Sequence, residues 1–480
     1  MRPNILFLMP DQLRADFLGC YGAEFARTPH LDALAAESTL FERCLAPTPI
    51  CVPSRASMLT GQSSLESGIL ANDQWLRLDR RACGIHSWPE LLSEAGYATY
   101  AVGKMHFTPW DASEGFQTRM IAEDKRHVSL KDDYGDHLAR IGARKLHGRE
   151  MQGYVENSGA CISPLAPEDH VDAWCAEQAI ELIRHHEPQR PFAMMVGFPS
   201  PHCPYDPPAE MAALFDADDM PPAVPATPES DALRPWFVQN MLRPWADIDY
   251  SELPPEKVAK VRAHYSALIH MLDIAVGRIL EALRDTGRID DTIIVFASDH
   301  GDFVGDYGMV CKNYFMDGSI RVPMILRVPG QGAEVRGDTV ALPDLYPTLL
   351  EAAGIVPRDG LIYRSLLQPA PAEPRIICGA THRGAMVERD GMKLARYIDG
   401  PVTLHDTRRD PKEQRNLHGL LGYQQTETEL DLALTRWMID QSLAAHADKR
   451  IIPDVGSEAA AGRGWDRPYP VPRRVAELNA

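Results

Sequence analysis

The sequence has no paired cysteine motif and no long apolar run. Its nine cysteines are scattered, and none falls in a CxxC pair or in a Cys/His cluster with zinc-finger spacing. This distribution argues against a disulfide framework and predicts reduced, buried thiols. Residues 1–11 hold too short an apolar run for a signal peptide, and no later stretch approaches the roughly 20 apolar residues that span a bilayer. We therefore expect a soluble, cytoplasmic protein with no membrane partner.

Positive charge is also scarce. The chain carries 49 Lys and Arg against 67 Asp and Glu, which gives a formal net charge of −18. Such a surface repels nucleic acid and anionic membranes, so we expect neither as a partner. A small anionic substrate would need a local basic pocket, which makes any Lys or Arg close to candidate metal ligands informative.

What the sequence does contain is an alternation of apolar strands and amphipathic helices. Buried strands are predicted over Asn4–Met9, Tyr97–Val102, Phe192–Gly197, Thr292–Ala297 and Val322–Val328. Helices are predicted over Leu31–Ser38, Trp88–Ala95, Glu168–Arg184 and Glu256–Arg284. This order predicts an α/β fold in which a large, mostly parallel sheet is sandwiched by helices.

The pattern changes near the proline-rich segment Gln368–Pro374, which we interpret as a linker. We expect a catalytic α/β domain over residues 1–370 and a smaller C-terminal α+β subdomain over residues 371–480. The subdomain should have short alternating strands, a late helix around Glu427–Ala444, and an extended tail. The tail from Gly464 to Ala480 could pack on a neighbouring copy, so a homo-oligomer is expected.

Side chains of the types that bind metal ions follow two of the predicted strands. The first strand runs into Asp11 and Gln12, and the strand over 292–297 runs into Asp299 and His300. A single Asp after a strand is more often a turn residue, but the carboxyl ends of parallel strands meet at one edge of a sheet. Two carboxylates, one amide and one imidazole would suit one divalent cation.

A further signal is the segment Cys51–Gly61, which begins CVPSR. Pro53 fits the first turn of a helix, and Gly61 fits its end. Cys51 would then lie at a positive helix N-terminus, where an anion is stabilised. The Cys-x-Pro-Ser-Arg wording resembles the modification signature of the type I, formylglycine-dependent sulfatases of the alkaline phosphatase superfamily.

Other segments carry the same resemblance in the same order, from Asn4 to about Leu417. They are Thr28–Leu34, Gly96–His106, Pro201–Tyr205, Ser298–Asp302, Lys312 and Leu404–Leu417. The segment GKMHF, from Gly103 to Phe107, most resembles choline-sulfatase-like members of the family. Gln12 and His300 resemble both those members and the phosphonate monoester hydrolase branch.

The resemblance implies that Cys51 is oxidised to formylglycine by a maturation enzyme and that its hydrated aldehyde is the nucleophile. It also implies one divalent cation held by residue 51 with Asp11, Gln12, Asp299 and His300. Calcium is the first expectation and manganese the alternative, because an imidazole is among the ligands.

The same resemblance implies roles for five further residues. Arg55 would hold an oxygen of the hydrate, while Lys104 and Lys312 would bind sulfate oxygens. His202 would protonate the leaving group, alone or with Lys312. His106 would act as the base that releases sulfate.

Two departures from the family pattern leave metal and substrate open. Many arylsulfatases have Asp where Gln12 stands and Asn where His300 stands. We expect hydrolysis of a small aryl or alkyl sulfate monoester. The alternative is a phosphonate monoester hydrolase or phosphodiesterase that uses the same formylglycine. A two-metal phosphatase is disfavoured, because no second ligand set accompanies a Ser or Thr nucleophile.

Overall fold

A computed structural model describes residues 2–77, 80–242, 248–398 and 400–447. Its strands are β1 (Asn4–Asp11), β2 (Thr39–Phe41), β3 (Cys44–Leu45), β4 (Ala98–Gly103), β5 (Thr118–Ile121), β6 (Phe192–Pro201), β7 (Thr292–Ala297), β8 (Arg321–Val322), β9 (Met324–Arg327), β10 (Glu334–Arg336), β11 (Val340–Ala341), β12 (Ile376–Thr381), β13 (Gly384–Arg389), β14 (Met392–Tyr397) and β15 (Val402–Asp406). Its helices are α1 (Pro29–Ala36), α2 (Cys51–Thr60), α3 (Ser64–Ser67), α4 (Trp88–Glu94), α5 (Asp133–Arg140), α6 (Val171–His185), α7 (Ala209–Ala212), α8 (Pro228–Met241), α9 (Pro255–Asp285), α10 (Asp317–Ile320), α11 (Leu345–Ala352) and α12 (Gln424–Ala447).

The centre of the fold is an eight-stranded sheet in the order β10-β2-β9-β7-β1-β6-β4-β5. Strands β7, β1, β6, β4 and β5 are parallel to one another, whereas β9 is antiparallel to both of its neighbours. A short three-stranded sheet, β11-β3-β8, lies apart from it. The predicted α/β class with a large, mostly parallel sheet is confirmed.

Helices cover both faces of this sheet. On β1, Leu6 and Leu8 belong to a core shared with α6 and α9, whereas Ile5 and Phe7 belong to a core shared with α2, α4 and α11. Every residue of β1 is buried, as expected for a parallel strand with helices on each side. The apolar run of the first strand thus reflects burial on two faces.

Two strand predictions differ from the structure. The segment Val322–Val328, predicted as one parallel strand, is split at Pro323 into β8 and the antiparallel β9, because proline lacks the donor that a continuous ladder needs. The first strand continues past Pro10 to Asp11, and the register of its pairing with β6 shifts at that point. That irregularity accommodates Pro10 and brings Asp11 to the edge of the sheet.

The C-terminal part forms an antiparallel sheet in the order β12-β13-β14-β15, with α12 packed on it through Leu430 and Leu434. This agrees with the predicted α+β character and with the late helix. The boundary after residue 370 stays a prediction, and the predicted tail from Gly464 to Ala480 lies outside the described residues.

Seven of the nine cysteines are buried. In the described part of the chain, none of the helices combines the length and apolar character needed to cross a bilayer.

Candidate active site

The candidate site lies where β1, β4, β6 and β7 end. Lys104 follows β4 directly, and His202 follows β6. The ends of these two strands approach so closely that a Cβ at Gly197 would lie 2.1 Å from the carbonyl oxygen of Lys104. Gly103 has φ +84, and a Cβ there would lie 2.1 Å from the carbonyl oxygen of Gly197. Glycine at both positions therefore allows Lys104 its place at this edge.

Helix α2 brings Cys51 to the same edge. The helix begins at Cys51 and ends at Thr60, and Gly61, with φ 69, caps it, in agreement with the sequence. The hydroxyl of Ser54 donates to the backbone oxygen of Asp299 at 2.6 Å, which fixes the first turn of α2 against the end of β7. Cys51 is fully buried in the first turn, at the positive end of the helix.

Four of the five predicted metal ligands meet at this point. Donor atoms of Asp11, Cys51, Asp299 and His300 all lie within 4.8 Å of one another, and all four residues are buried. Nε2 of His300 lies 3.2 Å from Sγ of Cys51, 3.8 Å from Oδ1 of Asp11 and 3.7 Å from Oδ1 of Asp299. Two carboxylates and an imidazole beside residue 51 suit a divalent cation, so the residues present fit the ion that the sequence implies.

The fifth predicted ligand, Gln12, is beside this cluster but has other partners. Its amide oxygen accepts a hydrogen bond from Lys312, and its amide nitrogen donates to Asp302. Asp302 also accepts from the hydroxyl of Tyr205 at 2.7 Å. Gln12 would ligate a cation only through an oxygen that Lys312 already uses.

Arg55 and Lys104 bind the carboxylates from the other side. Nε of Arg55 lies 2.8 Å from Oδ2 of Asp299, and a terminal nitrogen of Arg55 lies 3.0 Å from Oδ2 of Asp11. Nζ of Lys104 lies 2.8 Å from Oδ2 of Asp11 and 2.7 Å from Oδ2 of Asp124. These cations offset the carboxylate charge in a region that water does not reach.

The buried charges shift the pKa values of Asp11, Asp299 and Cys51. Burial and the charge of Cys51 oppose ionisation of Asp11, but Lys104 and other cations hold its pKa well below the usual range. Burial, followed by the charge of Asp11, raises the pKa of Asp299. Burial alone would raise the pKa of the Cys51 thiol, but Lys312 and nearby imidazoles hold it well below its usual range. The site therefore favours an anion at position 51.

Both predicted catalytic histidines lie near residue 51 and favour the ionised form of its side chain. The backbone of His106 is in the left-handed region at φ 60, and its amide donates to the carboxylate of Glu123 at 3.2 Å. Nδ1 of His106 is buried and has no hydrogen-bond partner among the described atoms. That nitrogen is therefore available to a ligand in the site.

His202 and Lys312 form a direct pair, with Nζ of Lys312 2.9 Å from Nε2 of His202. The other ring nitrogen, Nδ1, lies 2.6 Å from the carbonyl oxygen of Cys203. Because a carbonyl oxygen can only accept, Nδ1 carries the ring proton and Nε2 accepts from Lys312. Burial, followed by the charge of Lys312, lowers the pKa of His202 to about 3. The ring is therefore neutral and positions the Lys312 ammonium.

Sequence reasoning missed the charged loop that follows β5. Asp124 is 1% exposed and is bound by Lys104 and by Nε of Arg126, the latter at 2.8 Å. Glu123, beside it, holds the backbone of His106. The available signal was a run of five ionisable residues, Glu123 to His127, one residue after the end of β5. Asp302 lay within a recognised motif, but the motif did not indicate its contact with Gln12.

The fold matches that of solved phosphonate monoester hydrolases. A structure of the phosphonate monoester hydrolase of Agrobacterium radiobacter superposes with a TM-score of 0.79 at 24% identity, covering 92% of this chain and 97% of that one. A phosphonate monoester hydrolase from Silicibacter pomeroyi gives a TM-score of 0.77 at 23% identity, over 93% and 97% of the two chains. At these identities the likeness establishes the fold.

The family itself is established by sequence. The sequence model of the family described as Sulfatase matches residues 3–355, so the chain belongs to the sulfatase family. It is 31% identical to a choline-sulfatase of Rhizobium meliloti (strain 1021), over 87% of this chain and 82% of that protein. It is 28% identical to an arylsulfatase of Clostridium perfringens (strain 13 / Type A), over 87% and 90%. The protein is therefore an enzyme, a sulfuric ester hydrolase.

Proposed function

We propose that this enzyme hydrolyses a small aryl or alkyl sulfate monoester, with formylglycine at position 51 as nucleophile and one divalent cation. The observation that carries the proposal is the set of three buried cations around Cys51. Arg55 and Lys104 bind Asp11, which lies beside Cys51, and Lys312 bonds to Gln12 and His202. In a chain of net charge −18, three buried cations at one strand edge mark a site for an anion. The anionic oxygens of a sulfate ester need such preorganised positive charge.

Asp11, Asp299 and His300, with residue 51, would hold the cation, and Gln12 would complete the set if its oxygen turned from Lys312. A bound divalent cation supplies Lewis-acid charge to the ester and to the nucleophile. Calcium remains the first choice for the oxygen ligands, and manganese is the alternative because of the imidazole.

Conversion of Cys51 to formylglycine would give a hydrate with one hydroxyl that attacks sulfur and a second through which sulfate is released. Arg55, already fixed between Asp11 and Asp299, would orient an oxygen of that residue. His106 would accept the proton of the second hydroxyl. Its support is the buried Nδ1, which has no hydrogen-bond partner among the described atoms.

The leaving oxygen needs a proton when the alcohol is a poor leaving group. The hydrogen-bond pattern favours Lys312 as the donor, with His202 as the residue that positions it, because Nε2 of His202 is an acceptor. This refines the expectation that His202 is itself the acid. Lys104 would bind a sulfate oxygen from the opposite side, held by Asp124.

The substrate class can be tested by comparing three esters that share one leaving group but differ in the group that is attacked. We expect kcat/KM for 4-nitrophenyl sulfate to exceed that for the 4-nitrophenyl phosphonate monoester and phosphate diester. The extra organic group of the phosphorus esters displaces a charge-assisted contact worth roughly 1.5–3 kcal/mol, or about ten- to a hundred-fold in rate. The margin should shrink in Lys104→Ala, which opens the site. A preference of the wild type for the phosphorus esters would replace this assignment with the phosphonate monoester hydrolase or phosphodiesterase alternative.

The proposed partners are a sulfate ester and a maturation enzyme that converts Cys51. A cytoplasmic location is proposed because the cysteines are scattered without a CxxC pair and seven of the nine are buried, which is typical of thiols in a reducing compartment. A homo-oligomer remains a proposal based on the C-terminal tail.

A further inference from the structure

The last segment that carries the family resemblance, Leu404–Leu417, supplies none of the site residues described above. Its Glu413 is nevertheless only 2% exposed, and the backbone of this residue lies in the left-handed region at φ 52. A residue other than glycine is uncommon in that region and persists there only where its surroundings enforce it. The contacts of Glu413 therefore indicate what the segment does.

The carboxylate of Glu413 faces two donors. Oε2 accepts from the backbone amide of Asp317 at 2.6 Å, and Oε1 lies 2.8 Å from Nζ of Lys393. The same Nζ lies 2.5 Å from Oδ1 of Asp317. Asp317 begins α10 and ends the stretch 307–317, which contains Lys312 and which we call the Lys312 segment. The C-terminal part is thus bonded to the chain just beyond Lys312.

Two further hydrogen bonds join the C-terminal part to the Lys312 segment. The hydroxyl of Tyr397 accepts from the amide of Phe315 at 2.9 Å, and the two rings stack with their centroids 5.7 Å apart. At the other end, the hydroxyl of Tyr307 donates to the carbonyl oxygen of Lys412 at 2.9 Å. The C-terminal part therefore holds this segment on both sides of Lys312.

The Lys312 segment needs such contacts because its backbone is unfavourable. Cys311 and Asn313, the neighbours of Lys312 on either side, have φ 64 and φ 93. Tyr307 has φ 57. Side chains clash with the backbone in this region, so the conformation persists only where surrounding contacts enforce it. The place of Lys312 thus depends on contacts made several residues away.

We propose that Glu413 and Tyr397 are positioning residues that hold Lys312 in its place beside His202. They act through the backbone amides of the Lys312 segment and not on the ester. When an amide is released, the backbone on either side of Lys312 relaxes and turns the ammonium away from the leaving oxygen. The inference rests on the proposed function, because it takes Lys312 as a residue that serves the reaction.

A double-mutant cycle between Glu413 and Lys312 tests the inference. Glu413→Gln keeps the size of the side chain, but a carboxamide offers one acceptor oxygen to the two donors, so one contact is lost. The ions that remain around position 413 are Arg43, Lys393, Asp317 and Glu388. Their charges balance, so the variant should fold.

Release of sulfate from propyl sulfate gives kcat, which is corrected for the folded fraction by circular dichroism. We expect Glu413→Gln to lower kcat about ten- to a hundred-fold in the wild-type background, since a displacement near 1 Å can cost about a hundred-fold. In Lys312→Ala the same substitution should change kcat less than about three-fold, because no ammonium is left to misplace. Glu429→Gln is the matched control. Its carboxylate pairs with Arg389 at 2.7 Å at the surface of the C-terminal part, and the variant should match wild type within about two-fold.

Tyr397→Phe keeps the inference testable if Glu413→Gln folds poorly. This variant preserves the ring that stacks on Phe315 and removes only the hydroxyl that accepts from its amide. We expect a loss in kcat of about three- to ten-fold, again absent in Lys312→Ala. Equal losses with and without Lys312 would overturn the inference, since a merely structural role lowers kcat in both backgrounds.

The cycle separates this inference from the proposed function. If the wild type prefers phosphorus esters, the sulfatase assignment fails, and the cycle is measured on the corresponding propyl ester of a phosphonate. Coupling between Glu413 and Lys312 on that ester would still support the positioning role. Sulfate hydrolysis with independent effects of the two substitutions would support the proposed function and reject the positioning role.

Discussion

Nε of Arg55 donates to Oδ2 of Asp299 at 2.8 Å, and both side chains are buried. This bond joins the first turns of α2 to the end of β7 and ties the nucleophile position to the proposed metal site. A planar guanidinium can bridge Asp299 and Asp11 at once, whereas an ammonium cannot reproduce that fork.

Arg55→Lys keeps the charge but loses this bridge. We expect kcat/KM to fall by at least about a hundred-fold, and the free energy of unfolding to fall by about 3 kcal/mol, as for a broken buried pair. Steady-state kinetics and urea unfolding measure the two effects. Arg81→Lys is the control, since that side chain is 61% exposed, and it should match wild type. Wild-type kinetics in Arg55→Lys would remove Arg55 from the mechanism.

Position 51 should carry formylglycine in active enzyme. Peptide mass spectrometry across Ile50 to Arg55 should show the aldehyde or its hydrate, because the CxPSR signature lies there. Cys44, buried but without the signature, should remain a thiol in the same digest. Full activity in protein that carries only a thiol at residue 51 would disprove the proposed nucleophile.

Removing the cation should abolish activity and lower the melting temperature. Without it, Asp11 and Asp299 lie near each other with only protein cations to offset their charge. Calcium or manganese should restore both properties, with one equivalent bound per chain in calorimetry. Asp299→Asn should bind at least about a hundred-fold more weakly, whereas Asp290→Asn, at a side chain 90% exposed, should bind normally. Undiminished binding by Asp299→Asn would contradict the site.

Lys312→Ala should affect poor leaving groups most. If Lys312 donates the proton, kcat for an alkyl sulfate should fall about 10²–10⁴-fold, and kcat for 4-nitrophenyl sulfate much less, because nitrophenolate leaves unaided. His202→Gln, which removes only the positioning contact, should show a smaller loss of the same kind. Equal losses on both substrates in Lys312→Ala would indicate sulfate binding alone.

His170 should make stability depend on pH. Burial opposes its charge, but the carboxylates of Asp172, 3.4 Å from Nδ1, and of Asp206, 3.9 Å from Nε2, raise its pKa to about 9. Lys125 shares Asp206 at 2.6 Å. Because the pKa in the folded state is raised from 6.5, this stabilisation is complete below about pH 6.5 and is lost as pH rises through about 9.

The charged His170 should contribute roughly 3 kcal/mol to the free energy of unfolding, at about 1.4 kcal/mol per pKa unit. Urea unfolding from about pH 6 to pH 9.5 should show this loss in wild type and a flatter profile in His170→Gln. His185→Gln, at a side chain 76% exposed, should follow wild type. Parallel profiles for wild type and His170→Gln would refute the assignment.

Much of this architecture could be predicted, because apolar periodicity depends on burial. The strands β1, β4, β6 and β7 could be predicted from their continuous apolar sequences, because strands covered by helices on both faces are apolar throughout. The antiparallel direction of β9 could not be predicted, because an apolar sequence does not indicate whether a strand is parallel or antiparallel to its neighbour.

In the candidate site, too, some features could be predicted from the sequence and others could not. The residues at strand ends, such as Asp11 and Lys104, could be predicted to meet from sheet topology and motif order. The partners of Gln12 could not, because a side-chain rotamer and a loop from far along the chain decide them. Asp124 was missed for a similar reason, since its importance lies in its contact with Lys104.

The complete burial of Cys51 limits when this residue could be modified during synthesis of the protein. A maturation enzyme would not reach a thiol buried beneath the ends of β1 and β7, so the proposed conversion would have to precede the folding of this part of the chain. Residue 51 leaves the ribosome about 250 residues before Asp299, an interval of roughly 12 to 50 s at 5–20 residues per second. Within that window the CxPSR segment is still an accessible chain. The yield of active protein would then depend on synthesis rate and on the supply of the maturation enzyme, and faster expression would give a larger share of well-folded, inactive protein.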